Sequence, residues 1–206
     1  VPGWQVVGAL ARDASPGTFP GAIFTEREKF FTSRPDVIIE AAGPQAFAEI
    51  GPGALAVADV WTISASALAD SRFFDLMEQV GTSHGHRLRL LAGAFSGLDS
   101  VAALSALPGA KVELTAGWTD DDGLGPAIRE TASARDIVLR HRGVNALAAA
   151  AIAGTGLDET RIDYVGNGPP GQRVLAVTAS GAGGRFNARS EPSVDLTNGP
   201  LMVVGS

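Results

Sequence analysis

Residues 36–70 constrain the fold of this chain more than any other stretch. Val37, Ile38 and Ile39 form a short run of β-branched residues, which favours a strand buried on both faces. The run stops at Glu40-Ala41-Ala42-Gly43-Pro44, where small residues let a ligand approach the backbone and Pro44 suits the first position of a helix. Residues 45–50 read as that helix, with Gly51-Pro52-Gly53 ending it or bridging to the next. A second strand is expected over 59–63, followed by the small-residue turn Ser64-Ala65-Ser66-Ala67 and a further helix from about Asp70. Strand, small-residue turn, helix and strand again is the rhythm of a parallel α/β sheet, which binds ligands at the carboxyl ends of its strands.

The 206 residues, 45% of them hydrophobic, suffice for one compact domain or two small ones sharing a core. The formal net charge is -6 with no long basic run, so no nucleic-acid surface is expected. Cys is absent, which excludes disulfides and thiolate metal sites. No apolar run reaches the roughly 18 residues that span a bilayer, so no membrane partner is expected. The first residues lack the basic-then-apolar order of a signal peptide.

Taken in order, residues 4–10 read as a buried strand ending in Ala11-Arg12-Asp13. In a dinucleotide-binding sheet this would be the second strand, so the first strand, the glycine-rich turn and the first helix are expected upstream of Val1. No G-x-G-x-x-G follows a strand in this sequence. Residues 15–25 read as a Pro/Gly-rich loop and 26–33 as a short helix. Residues 68–80 carry apolar side chains at helical spacing, 84–91 alternate like a strand, and 98–107 read as a helix after the small-residue turn at 92–97. Beyond Pro108, 111–118 alternate like a strand with one wet face, 119–125 form an acidic loop, 126–140 read as mostly helical and 144–152 as an Ala-rich helix. Strands are expected at 161–165, 174–179 and 185–189, the last two joined by the glycine turn 181–184 as an antiparallel hairpin.

Five pieces in the same order resemble the L-aspartate dehydrogenase family. They are Asp36 to Gly43, Ser64 to Asp70, Ala92 to Asp99, Ser133-Ala134-Arg135-Asp136 leading to Val144-Asn145, and Gly184-Arg185-Phe186-Asn187 with Glu191-Pro192-Ser193. The resemblance covers most of the chain. It implies a Rossmann-type dinucleotide-binding domain over 1–95, with 191–206 returning to it, whose first strand, glycine loop and first helix are missing here. An α+β catalytic and dimerisation domain is implied over 96–190. It further implies NAD or NADP as cofactor, a dicarboxylic amino acid or analogue as the small-molecule substrate, a homodimer and a cytoplasmic location. In the family, the strand before the last hairpin turn carries a catalytic His. Alignment back from Gly184-Arg185-Phe186 puts Leu175 there, so the catalytic residue stays unassigned. Of the family's Lys-Asn-x-Asn run only Asn145 remains, and Pro44 stands where the family often has His. Leu moves no proton, so fold and cofactor class are expected of this chain more firmly than aspartate oxidation.

Within that frame, Arg12 ends the proposed second strand, where it would pair with the 2′-phosphate of NADP, while Asp13 competes as a partner of the NAD ribose. Gly43, Pro44, Ser64 and Ala65 would line the nicotinamide-ribose end of the cleft, turn chemistry alone being the competing reading. Gly93, Ala94, Asn145 and Arg173 are the candidate substrate contacts, with Arg142 and Arg135 as further carboxylate binders. Asn145 opens a helix, so it caps the first turn, binds substrate, or does both. His84 and His86 have no third ligand nearby in sequence, so no metal is expected, and Arg140-His141-Arg142 reads as a solvated basic cluster, with anion binding as the alternative. The expected function is an NAD(P)-dependent oxidoreductase moving a hydride between nicotinamide and an amino or imino acid. The alternatives are a non-catalytic binding protein that kept the fold and a reductase acting on another substrate.

Overall fold

The computed structural model describes residues 3–12, 19, 21–93, 95–118, 128–141, 144–166 and 174–191. Contacts divide them into two units, one from within 1–64 and 72–89, the other from within 65–71 and 90–206.

The first unit holds two short sheets. Strand β1 (Gly8–Leu10) runs parallel to β2 (Ala22–Phe24), with Gly8 opposite Ala22. Strands β3 (Val37–Glu40), β4 (Asp59–Thr62) and β5 (Leu88–Leu90) form a second sheet in that order, β3 and β4 being parallel with Glu40 opposite Thr62. Helices α1 (Arg27–Phe31), α2 (Pro44–Leu55) and α3 (Ser71–His84) accompany them. The parallel β3–α2–β4 crossover expected from residues 36–70 is therefore present. Helix α2 does not stop at Gly51-Pro52-Gly53. Phe47, Gly51, Ala54 and Leu55 are buried at helical spacing, so the apolar side outweighs the hydrogen bond that Pro52 forfeits. Gly51 is needed for space, because a Cβ there would meet the Phe47 ring at 2.8 Å.

Three local expectations change in this unit. Residues 22–24 are a strand rather than loop. The strand expected over 84–91 shrinks to Leu88–Leu90, because α3 runs on to His84. The buried strand expected over 4–10 shrinks to Gly8–Leu10, and Trp4 and Val6 are 57% and 53% exposed. The reason is topological: the β1–β2 pair and the β3–β4–β5 sheet are separate. A groove of about 850 Å³ is lined by Trp4, Val6, Val7 and Phe19 and by Ile39 and Trp61 of the other sheet.

The second unit is a five-stranded mixed sheet in the order β10-β9-β6-β8-β7. Its strands are β6 (Lys111–Trp118), β7 (Ile128–Ser133), β8 (Arg161–Gly166), β9 (Val174–Gly181) and β10 (Gly184–Ser190). Only the β6–β8 pair is parallel among those described. The hairpin expected at the glycine turn is there, with Gly181 opposite Gly184. Val112, Leu114 and Ala116 of β6 and Leu175, Val177 and Ala179 of β9 supply the alternating buried face. Helices α4 (Leu98–Ser105), α5 (Ala134–Arg140) and α6 (Asn145–Ala153) pack with it, and Ala148 to Ala151 of α6 are all at most 2% exposed. Methyl-sized side chains bring that helix close to its neighbours, as the Ala-rich run requires.

The expectation of a mostly helical 126–140 is corrected: 128–133 form edge strand β7 against β8, and the helix begins only at Ala134. The Ser133 hydroxyl accepts the Asp136 N–H and so caps α5, a start signal buried inside what reads as one helix. The acidic loop 119–125, together with 126–127, and the tail 192–206 lie outside the described residues. No helix among the described residues is long and apolar enough to cross a membrane.

Candidate functional site

The carboxyl ends of β3 and β4 carry three of the four buried polar residues among those described, Glu40, Thr62 and Ser64, the fourth being Thr160. Glu40 Oε1 accepts the N–H of Ala42 at 2.8 Å and that of Gly43 at 3.0 Å. Its Oε2 accepts the Thr62 hydroxyl at 2.5 Å, and Thr62 Oγ1 in turn accepts the Ser64 N–H at 2.8 Å. Gly43 has φ 107 and precedes Pro44 at the start of α2, whose first turn closes with the Phe47 N–H on the Gly43 carbonyl. A Cβ at Gly43 would have no atom within 4 Å, so the backbone angle rather than lack of room calls for glycine. The Ser64 hydroxyl is buried and has no partner among the described residues, and Ala65 is 1% exposed. Gly43 and Pro44 thus follow the end of β3 and Ser64 the end of the adjoining β4, with Ser64 fully buried. Arg12 is exposed just beyond β1.

In the second unit Asn145 does not cap α6. It is the first helical residue, and its Oδ1 accepts the Ser66 N–H at 3.0 Å and the Ser66 hydroxyl at 2.5 Å. Arg135 is fully engaged. It grips Asp158 with Nε at 2.6 Å and Nη2 at 2.8 Å and donates Nη1 to the Ala69 carbonyl. The Asp158 hydrogen bond raises the Arg135 pKa above its already high value against the opposing effect of burial, and the same bond lowers that of Asp158. Arg135 is therefore corrected from a candidate carboxylate binder to a staple between α5, the Asp158 turn and the short 3-10 helix Ala65–Ala69. Gly93 is exposed with φ 57. Ala94, Arg142 and Arg173, like Asp13 of the first unit, lie outside the described residues.

Leu175 is 1% exposed in β9, opposite Ala116 of β6, which itself stands opposite Tyr164 of β8. This row of apolar and aromatic side chains belongs to the core of the unit. His141 stacks on the Tyr164 ring at 4.1 Å between centroids, and its Nε2 lies 2.5 Å from Glu130 Oε1. Arg140 donates Nη1 to the other Glu130 oxygen at 2.6 Å. Arg140 and His141 of the expected basic cluster thus share a carboxylate that the sequence reading missed, brought in by the unexpected strand β7. His84 and His86 are apart in role: each donates Nδ1 to a backbone carbonyl, that of Val80 and of Leu55 respectively. No group of three potential ligands that could hold a metal occurs among the described residues. Glu40 and Thr62 were also missed as a pair. The signal for them is the β3–β4 register, which a sequence read strand by strand does not contain.

Residues 5–91 match the family model described as homoserine dehydrogenase, NAD binding domain. L-aspartate dehydrogenase of Ruegeria pomeroyi is 31% identical over 92% of this chain and 76% of its own length. L-aspartate dehydrogenase 1 of Bordetella pertussis is 31% identical over 96% of this chain and 83% of its own. The crystal structure of aspartate dehydrogenase from Thermotoga maritima superposes with TM-score 0.70 at 20% identity, covering 87% of this chain and 77% of that one, a likeness of fold. The fold is accordingly the Rossmann-type α/β arrangement with an α+β partner, and the cofactor class is NAD or NADP. Identity of this extent and coverage decides the family: the chain belongs to the L-aspartate dehydrogenases, NAD(P)-dependent oxidoreductases by class.

Proposed function

We propose that this protein transfers a hydride between NAD or NADP and an amino acid or its imino acid, and oxidises L-aspartate slowly if at all. The observation that carries the cofactor half is the set of turns after β3 and β4, where Gly43 is held in a left-handed conformation beside open space and a buried Ser64 hydroxyl lacks a partner among the described residues. These features fit the ribose-nicotinamide end of a dinucleotide, and the bound nicotinamide would supply the hydride acceptor. Gly43, Pro44 and Ser64 orient that end, and Arg12 discriminates at the adenosine ribose. No glycine-rich phosphate turn occurs among the described residues. For the substrate, Asn145 offers its amide N–H groups, since its oxygen is spent on Ser66, and Gly93, Ala94 and Arg173 are the remaining contacts. The proposed assembly is a cytoplasmic homodimer whose dinucleotide-binding and α+β catalytic domains follow the boundaries expected from the sequence.

The limit on aspartate turnover comes from Leu175. A His acting as acid–base partner is worth typically 10²–10⁴-fold in rate, and neither Leu175 nor a permanently charged Arg173 replaces it. The burial of Leu175 in the core also favours a second reading, a binding protein that kept the fold without catalysis. Thermal-shift titration with NAD, NADP and their reduced forms, beside steady-state NAD(P)H formation from L-aspartate and other dicarboxylic amino acids, separates these readings. Cofactor binding with turnover of another amino acid supports the proposal. Binding without any turnover favours the second reading, and brisk aspartate oxidation overturns the role given to Leu175.

A further inference from the structure

Glu40 is a costly residue to bury. It ends a strand of Val37, Ile38 and Ile39 and is 4% exposed, so its charge must be matched by donors that replace water. Three converge on it: the N–H groups of Ala42 and Gly43 on one oxygen and the Thr62 hydroxyl on the other. The β3–β4 register puts Glu40 beside Thr62 on neighbouring strands, so one carboxylate reaches both strand ends. The polarity of the network is forced. Backbone N–H groups only donate and a carboxylate only accepts, so the Thr62 proton goes to Glu40 and its lone pair is left for the Ser64 N–H. The turn after β3 is thereby tied to the turn after β4 through a single acceptor. What the network leaves over is the Ser64 hydroxyl, buried and unpartnered among the described residues.

We infer that Glu40 is a positioning residue whose buried carboxylate, acting through Thr62, sets the turns at Gly43 and Ser64 in the arrangement that receives the ribose-nicotinamide end of NAD(P). This rests on the cofactor reading above and adds to it the part that makes the site rigid before the ligand arrives. A residue needed only to fill space at the end of β3 would not have to be acceptor-only. Convergence of three donors suits it, whereas a carboxamide of the same shape keeps one oxygen for the two N–H groups but turns its other end into a donor, so that the Thr62 hydroxyl must reverse and accept from it as well as from the Ser64 N–H.

The test compares the unmodified chain with Glu40→Gln, Thr62→Val and Thr62→Ser by two readouts, amide hydrogen exchange of segments 41–43 and 63–66 and affinity for NADH and NADPH followed by nicotinamide fluorescence. Glu40→Gln and Thr62→Val should speed exchange in both turns and weaken cofactor binding about tenfold, while Thr62→Ser, which keeps the hydroxyl, stays close to the unmodified chain in both. Faster exchange with unchanged affinity would reduce Glu40 to a scaffold residue and overturn the inference. Unchanged exchange in Glu40→Gln, or Thr62→Ser behaving like Thr62→Val, would also overturn it. If the unmodified chain binds neither dinucleotide at millimolar concentration, the cofactor reading fails, and the positioning role toward NAD(P) falls with it. The exchange arm then still decides whether Glu40 sets the turns. Should Thr62→Val fail to fold, Glu40→Gln against Thr62→Ser carries the comparison.

Discussion

Where the first unit ends β3 and β4 it buries a carboxylate and two hydroxyls. Where the second unit runs β9 through its sheet it buries Leu175, Val177 and Ala179. Charged groups of the second unit stand at its rim instead, with Arg135 on Asp158, and with Arg140 and His141 on Glu130. Both units hide similar kinds of aliphatic side chain, so the contrast lies in what the polar groups are for. In the first unit they are drawn inward to shape two turns, and one hydroxyl is left over. In the second the charged pairs fasten α5 to β7 and to the Asp158 turn, and the Leu175, Val177 and Ala179 face stays apolar, although Thr160 and the Ser105 hydroxyl are also buried there. Preorganised polar groups below the surface are what ligand binding asks for, whereas rim pairs mainly hold elements together.

The largest expected effect that tests this contrast is Leu175→His. It exchanges a side chain 1% exposed for one with two ring nitrogens, at an expected cost of about 2–5 kcal/mol, seen as a lower Tm. In the fraction that stays folded, aspartate oxidation should rise measurably over the unmodified protein. An unchanged Tm would mean the interior at β9 admits polar groups, and the contrast with the first unit would fail. Next in size is Arg12→Asp. It should shift the ratio of NADP to NAD binding constants by a factor of order ten toward NAD, about 1.4 kcal/mol, and an unaltered ratio would make Arg12 a surface residue only.

The smallest effect concerns the rim. Asp158 has its pKa lowered chiefly by the hydrogen bond from Arg135, and its side chain is 66% exposed. A depressed carboxylate stabilises the fold above its ordinary unfolded value of about 3.9, and that contribution is lost as pH falls through the lower folded value. Asp158→Asn should therefore lower Tm slightly near neutral pH, by no more than about 1 kcal/mol of stability, and the gap should close in acid. A gap independent of pH would show that Arg135 is held by the Ala69 carbonyl and packing rather than by charge.

Residues 36–70 announced the parallel crossover because β-branched strands, small-residue turns and a helix with Pro at its first position follow one another without interruption. The glycine hairpin and the Ala-rich helix were equally legible, since both depend on local chain geometry. Strand β7 was not, because Ile128–Ser133 is an edge strand whose extended form comes from pairing with β8, a segment some thirty residues away, as in the opposition of Thr131 and Asp163. The same dependence hid the partner of His141. Glu130 reaches it only once β7 is a strand.

The sequence by itself determined the family, the cofactor class and the small residues at two strand ends, because these rest on residue types in a fixed order along the chain. Tertiary structure alone decided that Glu40 and Thr62 act together, that Arg135 is occupied by Asp158 and Ala69, that Asn145 ties down Ser66, and that Leu175 is core. Each of these is a contact between residues distant in sequence, fixed by strand register or helix packing, and hydrogen-bonding capacity is spent only when such partners meet.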